Sequence, residues 1–208
     1  MKVLLLNGSS HPRGCTDTAL AEVSKPLHRA GIETETLFLG NEPVRDCTAC
    51  GACGKIPGKC VFDGDIVNRI IEKAREADGF VFGTPVYYAH PSGRILSVLD
   101  RVFYAGKDAF AHKPAAAVVS ARRAGTTASV DVLNKYFTIS QMPVVSSTYW
   151  NMVHGNCPEE VLQDAEGLQV MRNLGSNLAW LLQCIEAGRA SGISAPQAES
   201  GQRTNFIR

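Results

Sequence analysis

The chain has 208 residues, 45% hydrophobic and 20% charged, a balance that suits one well-cored domain with at most an appendage and excludes general disorder. Its 21 Lys and Arg against 20 Asp and Glu give a formal net charge of +1, which leaves no electrostatic footprint for nucleic acid or an anionic membrane. Val3 to Leu6 is the only apolar run in the opening segment, too short for a signal-peptide core, and no later run reaches membrane-spanning length, so a soluble, cytoplasmic protein is expected. Seven cysteines, four of them between positions 47 and 60, point to metal or redox chemistry before disulfides in such a chain.

Val3 to Leu6 reads as a strand ended by Asn7-Gly8-Ser9-Ser10, and Leu20, Val23 and Leu27 follow at helical spacing, with Pro26 expected to kink or break that helix. Glu33 to Leu39 is a second strand, and residues 45–62 form an aperiodic cysteine-rich loop insertion. Asp65 caps a helix carrying Ile66, Ile70, Ile71 and Ala74, and Phe80 to Gly83 is the third strand. Ile95 to Phe103 is a helix, Ala115 to Ser120 a strand, Val130 to Phe137 a helix and Pro143 to Ser146 a fifth strand. Pro158 opens one long helix with apolar residues at three-four spacing through Ile185, packed on the sheet or partly against another subunit. Such alternation predicts an α/β, doubly wound, five-stranded parallel sheet of order 2-1-3-4-5. Residues 1–188 form the single domain, and 189–208 an extended tail.

In an open parallel sheet, ligands sit at the carboxyl ends of the strands beside the switch point in strand order. The first such loop, Gly8 to Thr18, places Ser9, His11, Arg13, Thr16 and Thr18 at a helix N-terminus, equipment for a phosphate. Neither G-x-G-x-x-G nor G-x-x-x-x-G-K-[ST] occurs there, so a phosphate monoester fits better than a dinucleotide, with a plain helix-capping turn as the alternative. The loop after strand three, with Pro85, Val86, Tyr87 and Tyr88, combines stiff backbone and aromatic surface suited to a flat ring, unless the tyrosines only pack between elements. Ser120, Arg122 and Gly125 follow the fourth strand and offer hydrogen-bond donors to a polar ring edge. Cys47, Cys50, Cys53 and Cys60, interleaved with glycines, have the compact spacing of iron-sulfur ligands; zinc and unligated thiols are the alternatives. Cys15, Cys157 and Cys184 read as a loop thiol and packing residues.

On these residues the chain resembles the flavodoxin-like NADPH-dependent FMN reductases, particularly their iron-sulfur flavoprotein branch. Asn7 to Ser10 through Thr16 to Thr18 resembles the family's FMN phosphate loop, Thr84 to Tyr88 its isoalloxazine loop, Leu99-Asp100-Arg101 its following helix motif and Ser120 to Gly125 its third flavin-side loop. His11 and Cys15 stand where the family often has arginine and asparagine. The resemblance implies FMN, a 4Fe-4S cluster on the four cysteines, NADH or NADPH as transient donor, and a homodimer or homotetramer with flavin sites near subunit interfaces. It also places Tyr149, Trp150 and His154 in a stretch characteristic of a close subgroup, either lining the pocket or packing at an interface. The expected activity is hydride transfer from NAD(P)H to FMN and onward to free flavin, a quinone or an electron-poor aromatic, with no catalytic side chain in the strict sense. The alternative is an electron carrier for a ferredoxin-like partner. A receiver-like signalling module is disfavoured by Asn7-Gly8-Ser9 where acidic magnesium ligands belong.

Overall fold

The computed structural model describes residues 1–202 and 204. Alternate residues of a strand face opposite sides, and in β1 (Lys2–Asn7) Leu4 and Leu6 enter one core while Val3 and Leu5 enter another. The same division separates Phe80 and Phe82 from Val81 in β3 (Gly79–Tyr87), and Ala115 and Ala117 from Ala116 and Val118 in β5 (Ala115–Ala121). Strands apolar on both faces require cover on both faces, the condition of a parallel sheet. β2 (Glu33–Phe38), β1, β3, β5 and β6 (Met152–His154) pair in parallel in the order β2-β1-β3-β5-β6. Counting parallel strands alone, this is the expected 2-1-3-4-5. The remaining strand, β4 (His90–Pro91), turns back antiparallel on Val86 and Tyr87.

Helices α2 (Ile66–Glu76), α3 (Gly93–Gly106) and α4 (Thr126–Ile139) cover one face. Their core is aromatic: ring centroids lie 4.7 Å apart for Phe80 and Phe110, 4.9 Å for Phe82 and Phe137 and 4.8 Å for Phe103 and Phe110. α1 (Cys15–Arg29), α5 (Pro158–Val161) and α6 (Ala165–Ala190) cover the other. Between α1 and α6, the buried Glu22 carboxylate accepts from Arg172 at 2.5 Å and pairs with Lys25. Burial opposes its charge, but the bonds from Lys25 and Arg172 outweigh that and hold its pKa below the ordinary value.

Three expectations are corrected. Pro143 to Ser146 is not a full fifth strand: Val144 only bridges Ala115, and the parallel strand resumes as β6 beside Val119 to Ala121. The intervening polar residues turn to α6 instead. Ser147 Oγ donates to Val170 O at 2.7 Å, Asn177 Nδ2 to Ser146 O at 2.8 Å, and Asn173 Nδ2 to Thr148 Oγ1 at 3.1 Å. Nor is there one helix from Pro158 to Ile185. α5 ends at Val161, and Asp164 starts α6 by accepting from Gly167 N at 2.9 Å while its other oxygen accepts from His154 N at 2.7 Å. Finally, α1 runs unbroken through Pro26. The proline lies in the last turn, where few residues follow it, and its ring packs where Gly175 of α6 has no side chain.

The expected tail overlaps α6, which reaches Ala190; residues 193–202 are exposed without regular structure, and positions 203 and 205–208 lie outside the described residues. Among the described residues no helix is long and apolar enough to cross a membrane.

Candidate functional site

At the carboxyl end of the sheet, the loops after β1, β3 and β5 close on a cavity of about 460 Å³. Ser9, His11, Thr16, Pro85, Val86, Tyr87, Ser120 and Arg122 all line it. Thr18, Tyr88 and Gly125 do not. Thr18 Oγ1 is spent on Gly14 O at 3.2 Å, and Tyr88 projects fully into solvent from a left-handed backbone with φ of 62°. Gly125 supports the site from behind: its φ of 92° and the 2.8 Å that would separate an added Cβ from Val86 Cγ1 both require glycine.

The first loop is held by its own polar groups. Asn7, wholly buried, accepts Ser9 N–H at 3.1 Å, and Ser9 Oγ accepts His11 N–H at 3.0 Å. Thr16 Oγ1 and Ser120 Oγ share a hydrogen bond of 2.8 Å, joining the first loop to the third across the cavity floor. Ser92 joins the first to the second: its Oγ donates to Gly8 O at 2.8 Å and its N–H to Thr84 Oγ1 at 3.1 Å. Tyr87 OH meets Ser10 Oγ at 2.5 Å, closing one rim.

The Gly14 cap position of α1 offers no side chain, so the N–H groups of Cys15, Thr16 and Asp17 have neither an intrahelical acceptor nor a side-chain cap. Cys15 and Thr16 line the cavity, and the positive end of the helix dipole favours an anion there. Burial raises the pKa of the Cys15 thiol and also that of the Asp17 carboxyl above their ordinary values.

Gly155, Asn156, Cys157 and Pro158 form a further wall that the sequence reading missed. These residues follow β6, whose carboxyl end lies where the sequence pattern, with its fifth strand at Pro143 to Ser146, does not put one. Tyr149, Trp150 and His154 line a separate cavity of about 200 Å³ with Asp164 and Glu166.

Cys47, Cys50, Cys53 and Cys60 line another cavity, of about 250 Å³, with Thr48, Phe62, Arg101 and Tyr104 among its walls. The loop wraps through left-handed Ala49, Gly51 and Gly58, and a short helical turn at Ala52–Gly54 carries Cys53. Cys50 is exposed, and its thiol pKa is lowered chiefly by a hydrogen bond from Ala52. Cys60 is buried: its N–H donates to Asn68 Oδ1 at 2.8 Å, and Asn68 Nδ2 returns a bond to Cys60 O at 3.0 Å. Among the described residues no three His, Cys, Asp or Glu side chains converge as a ready site for one metal ion. The four thiols surround a space instead, and an all-sulfur donor set around a void suits a polynuclear iron-sulfur core.

The family model described as NADPH-dependent FMN reductase matches residues 1–156. An iron-sulfur flavoprotein of Methanocaldococcus jannaschii is 30% identical over 89% of this chain and 100% of its own. One from Methanosarcina thermophila is 28% identical over 91% of this chain and 99% of its own. In structure, a flavodoxin from the domain Archaea superposes with a TM-score of 0.58 at 12% identity, covering 88% of this chain and 99% of that one, which shows the flavodoxin-like fold. The chain therefore belongs to the NADPH-dependent FMN reductase family, in its iron-sulfur flavoprotein branch.

Proposed function

We propose that the chain is an FMN-dependent oxidoreductase that takes hydride from NADH or NADPH and passes electrons to a small acceptor, a free flavin, quinone or electron-poor aromatic, with a 4Fe-4S cluster on Cys47, Cys50, Cys53 and Cys60. The observation that carries this reading is the convergence of three loops and an uncapped helix N-terminus on one cavity of about 460 Å³. FMN, when bound, supplies the ring that exchanges hydride and electrons.

The protein's part is placement. The Cys15, Thr16 and Asp17 N–H groups, with the Ser9 and Thr16 hydroxyls, hold the phosphate; Pro85, Val86 and Tyr87 flank the ring; Arg122 faces its polar edge, and Ser120 braces Thr16. Thr18 and Gly125 act through the loop backbones they fix. The four thiolates hold the cluster, Asn68 fixes the backbone of Cys60, and Arg101 fixes the carbonyls of Arg45 and Phe62 at the two ends of the loop. No side chain is assigned as nucleophile, acid or base.

A second reading is favoured by the exposure of the cysteine loop, which leaves Cys50 at the surface: the chain relays single electrons from a ferredoxin-like partner. Exposed Tyr149, Trp150 and Trp180 support assembly as a homodimer or homotetramer, and the family's chemistry supports a cytoplasmic setting.

Anaerobic purification without added cofactors, with flavin, iron and sulfide analysis, tests the proposal. Stoichiometric FMN with about four iron and four sulfide per chain is expected. Absence of flavin after reconstitution overturns the flavin assignment. Fast anaerobic bleaching by NAD(P)H supports the reductase; bleaching only through reduced ferredoxin supports the carrier.

A further inference from the structure

Arg101 is among the largest wholly buried side chains, and its guanidinium is spent almost entirely on the cysteine loop. It lies on α3, outside the loop it serves. Nη1 donates to Arg45 O at 3.1 Å, two residues before Cys47, and Nη2 to Phe62 O at 2.9 Å, two residues after Cys60. The same side chain therefore clamps both ends of the loop. Nε donates to the Cys60 sulfur at 3.4 Å, and Nη1 also pairs with the Asp65 carboxylate that caps α2. The result is an oriented pair of charges, with the cationic end against a ligand sulfur and the anionic end behind it.

We propose that Arg101 is the positioning residue of the metal centre, and that the Arg101 and Asp65 pair sets the centre's reduction potential through the Cys60 sulfur. The proposal rests on the reading that the four cysteines hold an iron-sulfur cluster. Reduction adds one negative charge to a cluster. A fixed positive charge and an N–H bond at a ligand sulfur therefore favour the reduced form, and a carboxylate nearby disfavours it. Removing the cation and removing the anion act in opposite directions, which a loop-bracing role alone does not produce.

The test uses full-length protein purified anaerobically as wild type, Arg101→Gln, Arg101→Lys and Asp65→Asn, the asparagine retaining a side-chain oxygen to cap α2. FMN content and circular dichroism report the fold, iron and sulfide report cluster loading, and a potentiometric titration followed by electron paramagnetic resonance reports the potential. Arg101→Gln is expected to shift the one-electron equilibrium about tenfold toward the oxidised form, about 59 mV downward. Asp65→Asn is expected to raise the potential, and Arg101→Lys to restore most of the wild-type value.

Loaded variants with unchanged potentials, or shifts of the same sign in Arg101→Gln and Asp65→Asn, overturn the proposal. If Arg101→Gln does not fold, Arg101→Lys and Asp65→Asn decide: a rise in Asp65→Asn beside a near-normal Arg101→Lys supports it, and no rise refutes it. Wild-type protein that takes up no iron on reconstitution refutes the cluster assignment itself, a failure separate from loaded variants with unshifted potentials.

Discussion

Gly175 of α6 lies directly against Val23 and Pro26 of α1, and Gly175→Ala tests how the two helices are held. An added Cβ meets Pro26 Cγ at 2.5 Å and the Val23 carbonyl oxygen closer still, far inside any distance a carbon adopts. Neither neighbour can rotate away: one is a ring, the other main chain inside α1, so the helices have to separate. Overpacking of this kind costs about 1–3 kcal/mol, and the backbone obstacle places this case near the upper end, at about 3 kcal/mol. For a chain of this size that lowers Tm by about 6–12 °C. Thermal unfolding followed by circular dichroism reads the shift, with Gly93→Ala as control. Gly93 opens α3 with nothing within 4 Å of an added Cβ, so that change is neutral or stabilises by up to about 1 kcal/mol. A Tm loss below about 2 °C in Gly175→Ala would refute the close contact.

Other expectations follow from the same geometry. Ser9→Ala with Thr16→Ala removes two hydroxyls at the phosphate end, each worth about 1.5–3 kcal/mol toward an anion, so FMN Kd should rise by at least about a hundredfold in fluorescence titration. Unchanged affinity there means the phosphate lies elsewhere. Gly125→Ala strains a left-handed cap and pushes on Val86, so a stability loss of about 1–2 kcal/mol should accompany weaker flavin binding in urea unfolding with and without FMN. Because the Glu22 pKa is lowered in the folded chain, its contribution is complete above the ordinary value of 4.5 and is lost as pH falls through the lower folded value. Urea midpoints measured from pH 7 down to pH 3 should therefore fall less steeply in Glu22→Gln than in wild type.

Much of this fold could be read from the residues because the strands that matter are buried on both faces. Val3 to Leu6, Phe80 to Gly83 and Ala115 to Ser120 are apolar runs ended by loop chemistry, and the cap at Asp65 marks where α2 begins. Three of the walls of the large cavity followed from the strand ends alone. The edge strand did not follow, because its split depends on where Ser146, Ser147 and Thr148 find hydrogen bonds, and those partners lie on α6. The break before α6 was readable in principle: Asp164 before Ala165-Glu166 is an N-cap signal, masked by the apolar spacing on both sides of it. Tyr87 and Tyr88 are equivalent as letters. The β3 and β4 hairpin turns one onto Ser10 and the other into water.

The interrupted border at Pro143 to His154 also bears on how copies of this chain can meet. A flat, unpaired strand edge is a template on which a neighbouring chain can add a strand. Here one margin offers only a bridge, an excursion and the three residues of β6, while the opposite margin is the six-residue β2, whose Glu35 is paired with Lys2 and Lys73. The interrupted β6 margin does not favour a continuous intermolecular sheet. That side of the sheet is thereby guarded against the edge-to-edge stacking that leads to fibrils.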